Sequence, residues 1–437
     1  LSIQQNLSRK ISLLQASSIN MIDMVGIGPF VVMPMVMQMV GGREFIWAWV
    51  FGAMTAFIDG MIWSELGAAF PLAGGSYHFL KEAYGGKTGK LMSFLFVWQT
   101  CLQAPLVIAS GAIGFSQYFC YLHPLNIWEG KILSGLIVLL IIVLLYRRIE
   151  TIGKISVLLW SGVIITIIWI IASGFTHRQI AFDTLPASGF SNLVIVAVLG
   201  QASVKTVYSY LGYYNVCHLG GEIKNPQTNI PRSIFISIFG VALLYICMNL
   251  SITGVLPWKD AANSNFIVSS FVERIYGEKA AIVATLLVLW IAFASLFAVL
   301  LGYSRVPYAA AVDGNFFPEF AKLHPKKNFP YVSLLFIGGL GFVFSLLFKL
   351  HAVISAILAM RILVQFIAQA WAVVRLRQKR GKGWLYYRMW FYPLPVIISI
   401  LTWLFLFYST GYVAWLGVLL IIAGVISFYG FRGLWTK

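Results

Sequence analysis

The sequence predicts an all-α membrane protein of about twelve spanning helices. Three observations carry this: an apolar content beyond that of soluble domains, apolar runs of spanning length along the whole chain, and basic residues gathered on alternate connections. Of 437 residues, 60% are hydrophobic and 10% charged, against roughly 25% charged in soluble domains, and the mean hydropathy is +0.85. No water-soluble fold hides that much apolar surface, so the bilayer is the solvent.

Crossing a hydrocarbon core takes about 20 apolar helical residues. Runs of that kind read as 12 to 39, 45 to 70, 90 to 120, 132 to 148, 152 to 175 and 191 to 219, then 232 to 256, 279 to 304, 331 to 349, 351 to 374, 389 to 409 and 412 to 431. The whole chain, 1–437, is therefore one polytopic domain, with no soluble domain between its spans. Connections 71 to 89 and 303 to 330 read as amphipathic cytosolic segments, and 266 to 276 as a surface helix on an outer loop. The N-terminal part lacks a signal peptide's short apolar core and cleavage site, so insertion is expected to be directed by the first span.

A net charge of +17 would suggest nucleic acid in a soluble protein. Here, placing the N-terminus in the cytosol gathers most of the 31 Lys and Arg on that side and leaves only Arg43, Lys131, Arg178, Lys259, Arg274, Lys279 and Lys349 outside. The positive-inside rule then puts both termini in the cytosol of a multi-pass cell-membrane protein and accounts for the charge without nucleic acid. Cys101, Cys120, Cys217 and Cys247 lie in or beside apolar spans without ligand spacing, so neither a structural metal nor a disulfide framework is expected. The six histidines are scattered and show no His-Glu-x-x-His spacing; no nucleophile or metal set converges, so no enzyme and no cofactor is expected.

Two spans are interrupted at mid-depth, by Gly26-Ile27-Gly28-Pro29 in the first and by Ser209-Tyr210-Leu211-Gly212 in the sixth. Glycine lowers the cost of leaving helical geometry, and proline opening a new half-helix gives up a donor that would be unpaired anyway. Unwound backbone in lipid is untenable unless it faces protein or a water-filled cavity. Paired breaks five helices apart therefore point to a polar midplane pocket between inverted repeats: 11–175 (helices 1–5) and 191–375 (helices 6–10), with 389–431 adding two more helices.

The residues resemble the amino acid-polyamine-organocation (APC) superfamily, nearest to bacterial permeases and the L-type amino acid transporter branch. Gly26 to Phe30 (GIGPF) resembles the family's Gly-Ser-Gly-Ile-Phe signature. Trp63-Ser64-Glu65-Leu66-Gly67 with Pro71 and Gly74-Gly75-Ser76-Tyr77, Gly221-Glu222-Ile223-Lys224-Asn225-Pro226 with Ile230-Pro231-Arg232, and Tyr303-Ser304-Arg305 through Asp313-Gly314 follow in family order. The resemblance implies a LeuT-like 5+5 inverted repeat with helices 1 and 6 broken. It further implies a substrate α-carboxylate held by backbone amides at Ile27 and Gly28, beside Gly26, and an α-ammonium held by carbonyls of Met24, Val25, Tyr208, Ser209 and Leu211. A helix N-terminus attracts the anion and carbonyl ends attract the cation. The same register puts Tyr208 at an aromatic gate and Tyr213 in the pocket. It also puts Lys154, near Ser295, where sodium-coupled relatives hold an ion; this favours proton symport or amino acid exchange over sodium coupling. Pro29 and Ile27 depart from the signature and leave the carboxylate nest narrower and poorer in donors.

Asp23, Asp59, Lys205 and Arg361 fall inside spans, where an ionisable group is costly unless paired or lining water. Asp23, one turn before Gly26, is a candidate for contacting a cationic group or carrying a coupling proton, with a structural ion pair as the other reading. Asp59 and Arg361 read as structural, and Lys205 has no assigned role. Glu65 and Glu222, at cytosolic span ends, read as salt-bridging inner-gate residues. The expected function is secondary transport of amino acids or related amines by alternating access; the rival is an amino acid sensor of the same fold that binds without turnover. Expected partners are the substrate and the lipid bilayer, with no obligatory protein partner.

Overall fold

The computed structural model describes residues 7–189, 191–348, 350–381, 383 and 385–435, and these are helical almost throughout. Lys349, Lys382 and Lys437 of the charge reading lie outside the described residues. The first span is two helices, α1 (Leu13–Met24) and α2 (Gly28–Val40), meeting at 40°. Ser12 and Gln15 cap α1 reciprocally, and Pro29 in the first turn of α2 sacrifices a donor that no helical acceptor could reach. Then come α3 (Phe45–Ala69), the short α4 (Ser76–Tyr84), α5 (Gly86–Phe119), α6 (Ile127–Leu145) and α7 (Ile149–Thr176).

Helix α8 (Asn192–Tyr210) stops at the second expected break; residues 211–214 form a turn, and helix resumes briefly as α9 (Asn215–His218). Beyond it lie α10 (Pro226–Thr253), α11 (Trp258–Ala262), α12 (Ile267–Tyr276), α13 (Glu278–Tyr303), α14 (Arg305–Val312), α15 (Tyr331–Leu347) and α16 (Leu350–Arg361). A π-helix, Ile362–Ile367, joins α16 to α17 (Ala368–Arg380), and α18 (Leu394–Ser409) and α19 (Ala414–Trp435) complete the chain.

Among the described residues, eight helices are long and apolar enough to cross a membrane, and nine if α1 and α2 count as one broken span. This is an all-α, multi-pass membrane protein, and the expected count of twelve is not reached on that measure. Two physical reasons account for the difference. Helices α15 and α18 are apolar but only 17 and 16 residues long, short of the roughly 20 a bilayer core requires. Helix α8 carries Gln201, Ser203, Lys205 and Thr206 in the middle of its length, which breaks its apolar run.

Side-chain polarity is inverted relative to a soluble protein. Leu139, Leu140 and Val143 of α6, Ile165 and Ile168 of α7, and Leu419, Ile422 and Ile426 of α19 are exposed, whereas Asn20, Asp59, Glu65, Gln99, Gln103, Arg305 and Arg361 are buried. Burying a charged group is costly unless it is paired or hydrogen-bonded, and Asp59 on α3 shows how that cost is met. Its carboxylate accepts from Trp63 Nε1 (2.8 Å), the Tyr213 hydroxyl (2.5 Å), Ser399 Oγ (3.2 Å) and Trp403 Nε1 (3.3 Å), tying α3 to the second break and to α18.

One end of the bundle is locked by ion pairs. Arg305 grips Glu222 through two nitrogens, both at 3.0 Å, and Arg377 does the same to Glu65 at 2.8 and 2.5 Å. Lys81 pairs with Asp313 beside them. The Glu222 carbonyl also accepts the Lys10 and Ile11 amides, each at 2.9 Å, so the residues before α1 are laced to the 3-10 turn after α9. Because Arg305 and Glu222 are both buried, removing one leaves a stranded charge worth about 3–5 kcal/mol. Glu222→Gln is therefore expected to lower the thermal midpoint in detergent markedly. Glu82→Gln, which breaks the half-exposed Arg380–Glu82 pair, should shift it little, since such pairs contribute about 0–1 kcal/mol.

Candidate functional site

The two breaks meet. Asn20 of α1 donates Nδ2 to the Tyr213 carbonyl (2.8 Å) and accepts the Val216 amide on Oδ1 (2.8 Å), serving backbone groups freed by the second break. Asn215 at the start of α9 donates to the Asp23 carboxylate (2.6 Å) and to the Ala298 carbonyl of α13 (2.8 Å). The Tyr245 hydroxyl of α10 lies within hydrogen-bond distance of two carbonyls at once, Met24 at 2.8 Å and Ser209 at 3.2 Å, one from each broken helix. Thus Tyr245 of α10 joins the carboxyl ends of α1 and α8 directly, while Asn20 and Asn215 tie α1 to the turn and helix that follow α8.

Glycine allows this approach. Gly212 has φ +124°, a conformation L side chains rarely adopt, and a Cβ there would stand 2.8 Å from the Met24 nitrogen. At Gly26 a Cβ would stand 2.6 Å from Ser295 Oγ, which itself reaches the Asp23 carbonyl at 3.3 Å.

Between the broken ends lies a cavity of about 50 Å³, walled by Asp23, Met24, Gly26, Ile27, Gly28, Tyr208, Ser209, Leu211 and Gly212 from the breaks, Val107, Ser110 and Gly111 from α5, Ala292, Ser295, Leu296, Val299 and Tyr303 from α13, and Tyr214 and Arg361. At roughly 10–15 Å³ of such space per water, it holds a few waters and is too small for an amino acid, so its walls must part to admit one. A second cavity of about 530 Å³ continues away from the ion-paired end. Its walls follow on along the same helices: Val31, Pro34, Met35 and Gln38 beyond Gly28 on α2, and Gly114, Gln117 and Tyr118 beyond Gly111 on α5. Across the small cavity's own wall the Tyr208 hydroxyl and Ser110 Oγ share a hydrogen bond of 2.9 Å. Since Ser110 spends its own proton on the Val107 carbonyl (2.8 Å), Tyr208 is the donor. The side chain of Ile27 packs on Gly114 at the same level.

Of the residues expected at the site, Asp23, Met24, Gly26, Ile27, Gly28, Tyr208, Ser209, Leu211 and Ser295 line the small cavity. Val25 is buried and does not line it. Tyr213 turns away to Asp59, and Tyr214 takes the cavity wall instead. Lys154 is exposed on α7 and absent from the wall; the neighbouring Gly153 packs on Gln15 near the start of α1. Glu65 and Glu222 sit in the ion pairs of the locked end. Lys205 is half-buried outside the wall. Arg361, read from sequence as structural, is a wall residue, and Ser110, Tyr245, Asn20 and Asn215 were not anticipated. An intramembrane charge was the available signal for Arg361; for the other four, ordinary polar residues within apolar runs, there was none.

Gly212→Ala combines a positive φ with a backbone clash, a strain of about 1–3 kcal/mol. It is expected to lower the thermal midpoint and to reduce substrate binding at least tenfold in a direct binding assay, whereas Gly339→Ala, where a Cβ meets nothing within 4 Å, should leave both unchanged.

The profile of one protein family, described as amino acid permease, matches residues 11–428. The chain is 24% identical to the uncharacterized amino acid permease YecA of Bacillus subtilis (strain 168), over 92% of this chain and 93% of that protein. It is 24% identical to the serine/threonine exchanger SteT of the same organism, over 98% and 97%. It is also 24% identical to the mouse Asc-type amino acid transporter 1, over 97% of this chain and 81% of the relative.

Proposed function

This chain belongs to the amino acid permease family of the APC superfamily and is an amino acid transmembrane transporter rather than an enzyme, and from that premise we propose that it works by alternating access around the cavity where the two broken helices meet. In this reading the chain has twelve spanning helices in a LeuT-like arrangement, 11–175 and 191–375 being inverted repeats and 389–431 an addition. The short helices α15 and α18 and the polar α8 are spans, tolerated because neighbours cover them. Both termini lie in the cytosol, so the ion-paired end is the inner gate and the 530 Å³ cavity is the outer vestibule. The substrate's carboxylate lies at the start of α2 and its ammonium at the carbonyls closing α1 and α8, flanked by Asp23.

The observation that supports this best is that one small polar cavity is framed by free helix ends of opposite sign, with ion pairs closing one end of the bundle and a single tyrosine bond across the cavity's own wall. Transport is sodium-independent, by proton symport or by exchange. Asp23 is the coupling group, since its carboxylate borders the cavity and is held by a neutral amide rather than a cation. Lys154 contributes from the α1–α7 contact and not from within the cavity.

The test is uptake of radiolabelled amino acids and polyamines into proteoliposomes, with and without internal substrate and an imposed proton gradient. Saturable uptake stimulated by either condition supports the proposal. Saturable binding without uptake under any condition would sink it in favour of a sensor. Asp23→Asn is expected to abolish stimulation by the proton gradient while leaving exchange measurable. Retention of gradient-driven accumulation in that variant would remove Asp23 from coupling.

A further inference from the structure

Arg361 closes α16 immediately before the π-helix Ile362–Ile367 and is about 1% exposed. Gln365 Oε1 accepts from the guanidinium Nε at 3.0 Å. One terminal nitrogen donates to the Tyr214 hydroxyl. The guanidinium carbon lies over three rings, Tyr214 at 5.1 Å, Phe366 at 5.6 Å and Tyr303 at 5.8 Å. The group is thus held flat and fixed, with two of its three nitrogens engaged by protein and the cavity on its open side.

Among the described residues no carboxylate comes within ion-pairing distance of Arg361, in contrast to Arg305 and Arg377, which each hold one. Asp23 shares the cavity but is engaged by Asn215. The Asp23 carboxylate therefore acts on Arg361 through space and not through a direct ion pair, and rings satisfy a buried cation only in part. A planar fork of donors is matched by a carboxylate taken in bidentate fashion. The opposite wall already offers an anion the start of α2, at Ile27 and Gly28. The cavity therefore carries two separate attractions for anions and, between them, one set of acceptors for a cation.

We propose that Arg361, at the carboxyl end of α16 and braced by Gln365 and Tyr214, is a specificity-determining residue that binds a side-chain carboxylate, so that the preferred substrates are amino acids with an acidic side chain. The assignment rests on the substrate binding in this cavity and deepens that reading.

The experiment is binding of L-aspartate, L-glutamate, L-asparagine, L-glutamine, L-serine and L-leucine to the purified full chain, read by thermal shift and by competition against a radiolabelled amino acid that binds. Wild type is expected to bind the dicarboxylic amino acids at least about tenfold more tightly than their amides, as sites built to pair a substrate group reject analogues lacking it. Arg361→Gln should erase that preference while retaining the amides, and Arg361→Lys should keep part of it. Equal or weaker binding of the acidic amino acids by wild type, which needs no variant, would overturn the proposal. A uniform loss across all six ligands in a folded Arg361→Gln would also overturn it, assigning the arginine to the α-carboxylate. If no amino acid of any class binds, the cavity reading itself fails, a result distinguishable from neutral amino acids binding alone.

Discussion

The structure depends on the way two interrupted helices satisfy each other's freed backbone groups. An α-helix broken at mid-depth exposes amides and carbonyls that lipid cannot solvate. Asn20 and Tyr245 supply partners for them across the gap, and Asn215 ties the second break to the Asp23 carboxylate, so each break is satisfied in part by the other. The same arrangement leaves amides at the start of α2 and carbonyls at the ends of α1 and α8 facing one small cavity. In the proposed reading, a pocket for a zwitterion is thus a by-product of solving a solvation problem. Gly26 and Gly212 pay for it with the only side chain that lets the segments come so close.

The two ends of the bundle are closed by different chemistry. Buried bidentate arginine–carboxylate pairs at Glu65 and Glu222 hold one end, where the loops carry most of the basic residues. Toward the other, where a cavity some tenfold larger follows, the small cavity's wall holds the Tyr208–Ser110 bond and the Ile27 side chain. A neutral hydrogen bond contributes about 1 kcal/mol and a stranded buried charge several times that. The tyrosine side is therefore the less costly of the two to open.

Buried charge is used in three ways. Asp59 is saturated by four donors and ties α3, the second break and α18 into one unit. Glu65 and Glu222 are paired. Asp23 and Arg361 border the cavity with neutral braces, Asn215 in one case, Gln365 and Tyr214 in the other. The first two patterns are what a membrane interior demands of charge; the third keeps charge available to something that enters.

Residue type and order alone determined the solvent, the helical class, the position of both breaks and the two glutamates of the locked end. Each follows from a local rule: apolar run length, glycine and proline punctuation, or charge at a span end. The first break and the second fall within a residue or two of Gly26 and Leu211, as the glycines required. Tertiary structure alone decided which side chains face the cavity. Tyr213 and Tyr214 are adjacent and chemically alike, and only the turn at 211–214 sends one to Asp59 and the other to the cavity. Lys154 reads from sequence as a base at a span end and Arg361 as a base within a span; helix packing leaves the first exposed on α7 and puts the second in the cavity wall. Orientation about a helix axis is set by neighbours distant in the chain, and for that reason it could be found only in the fold.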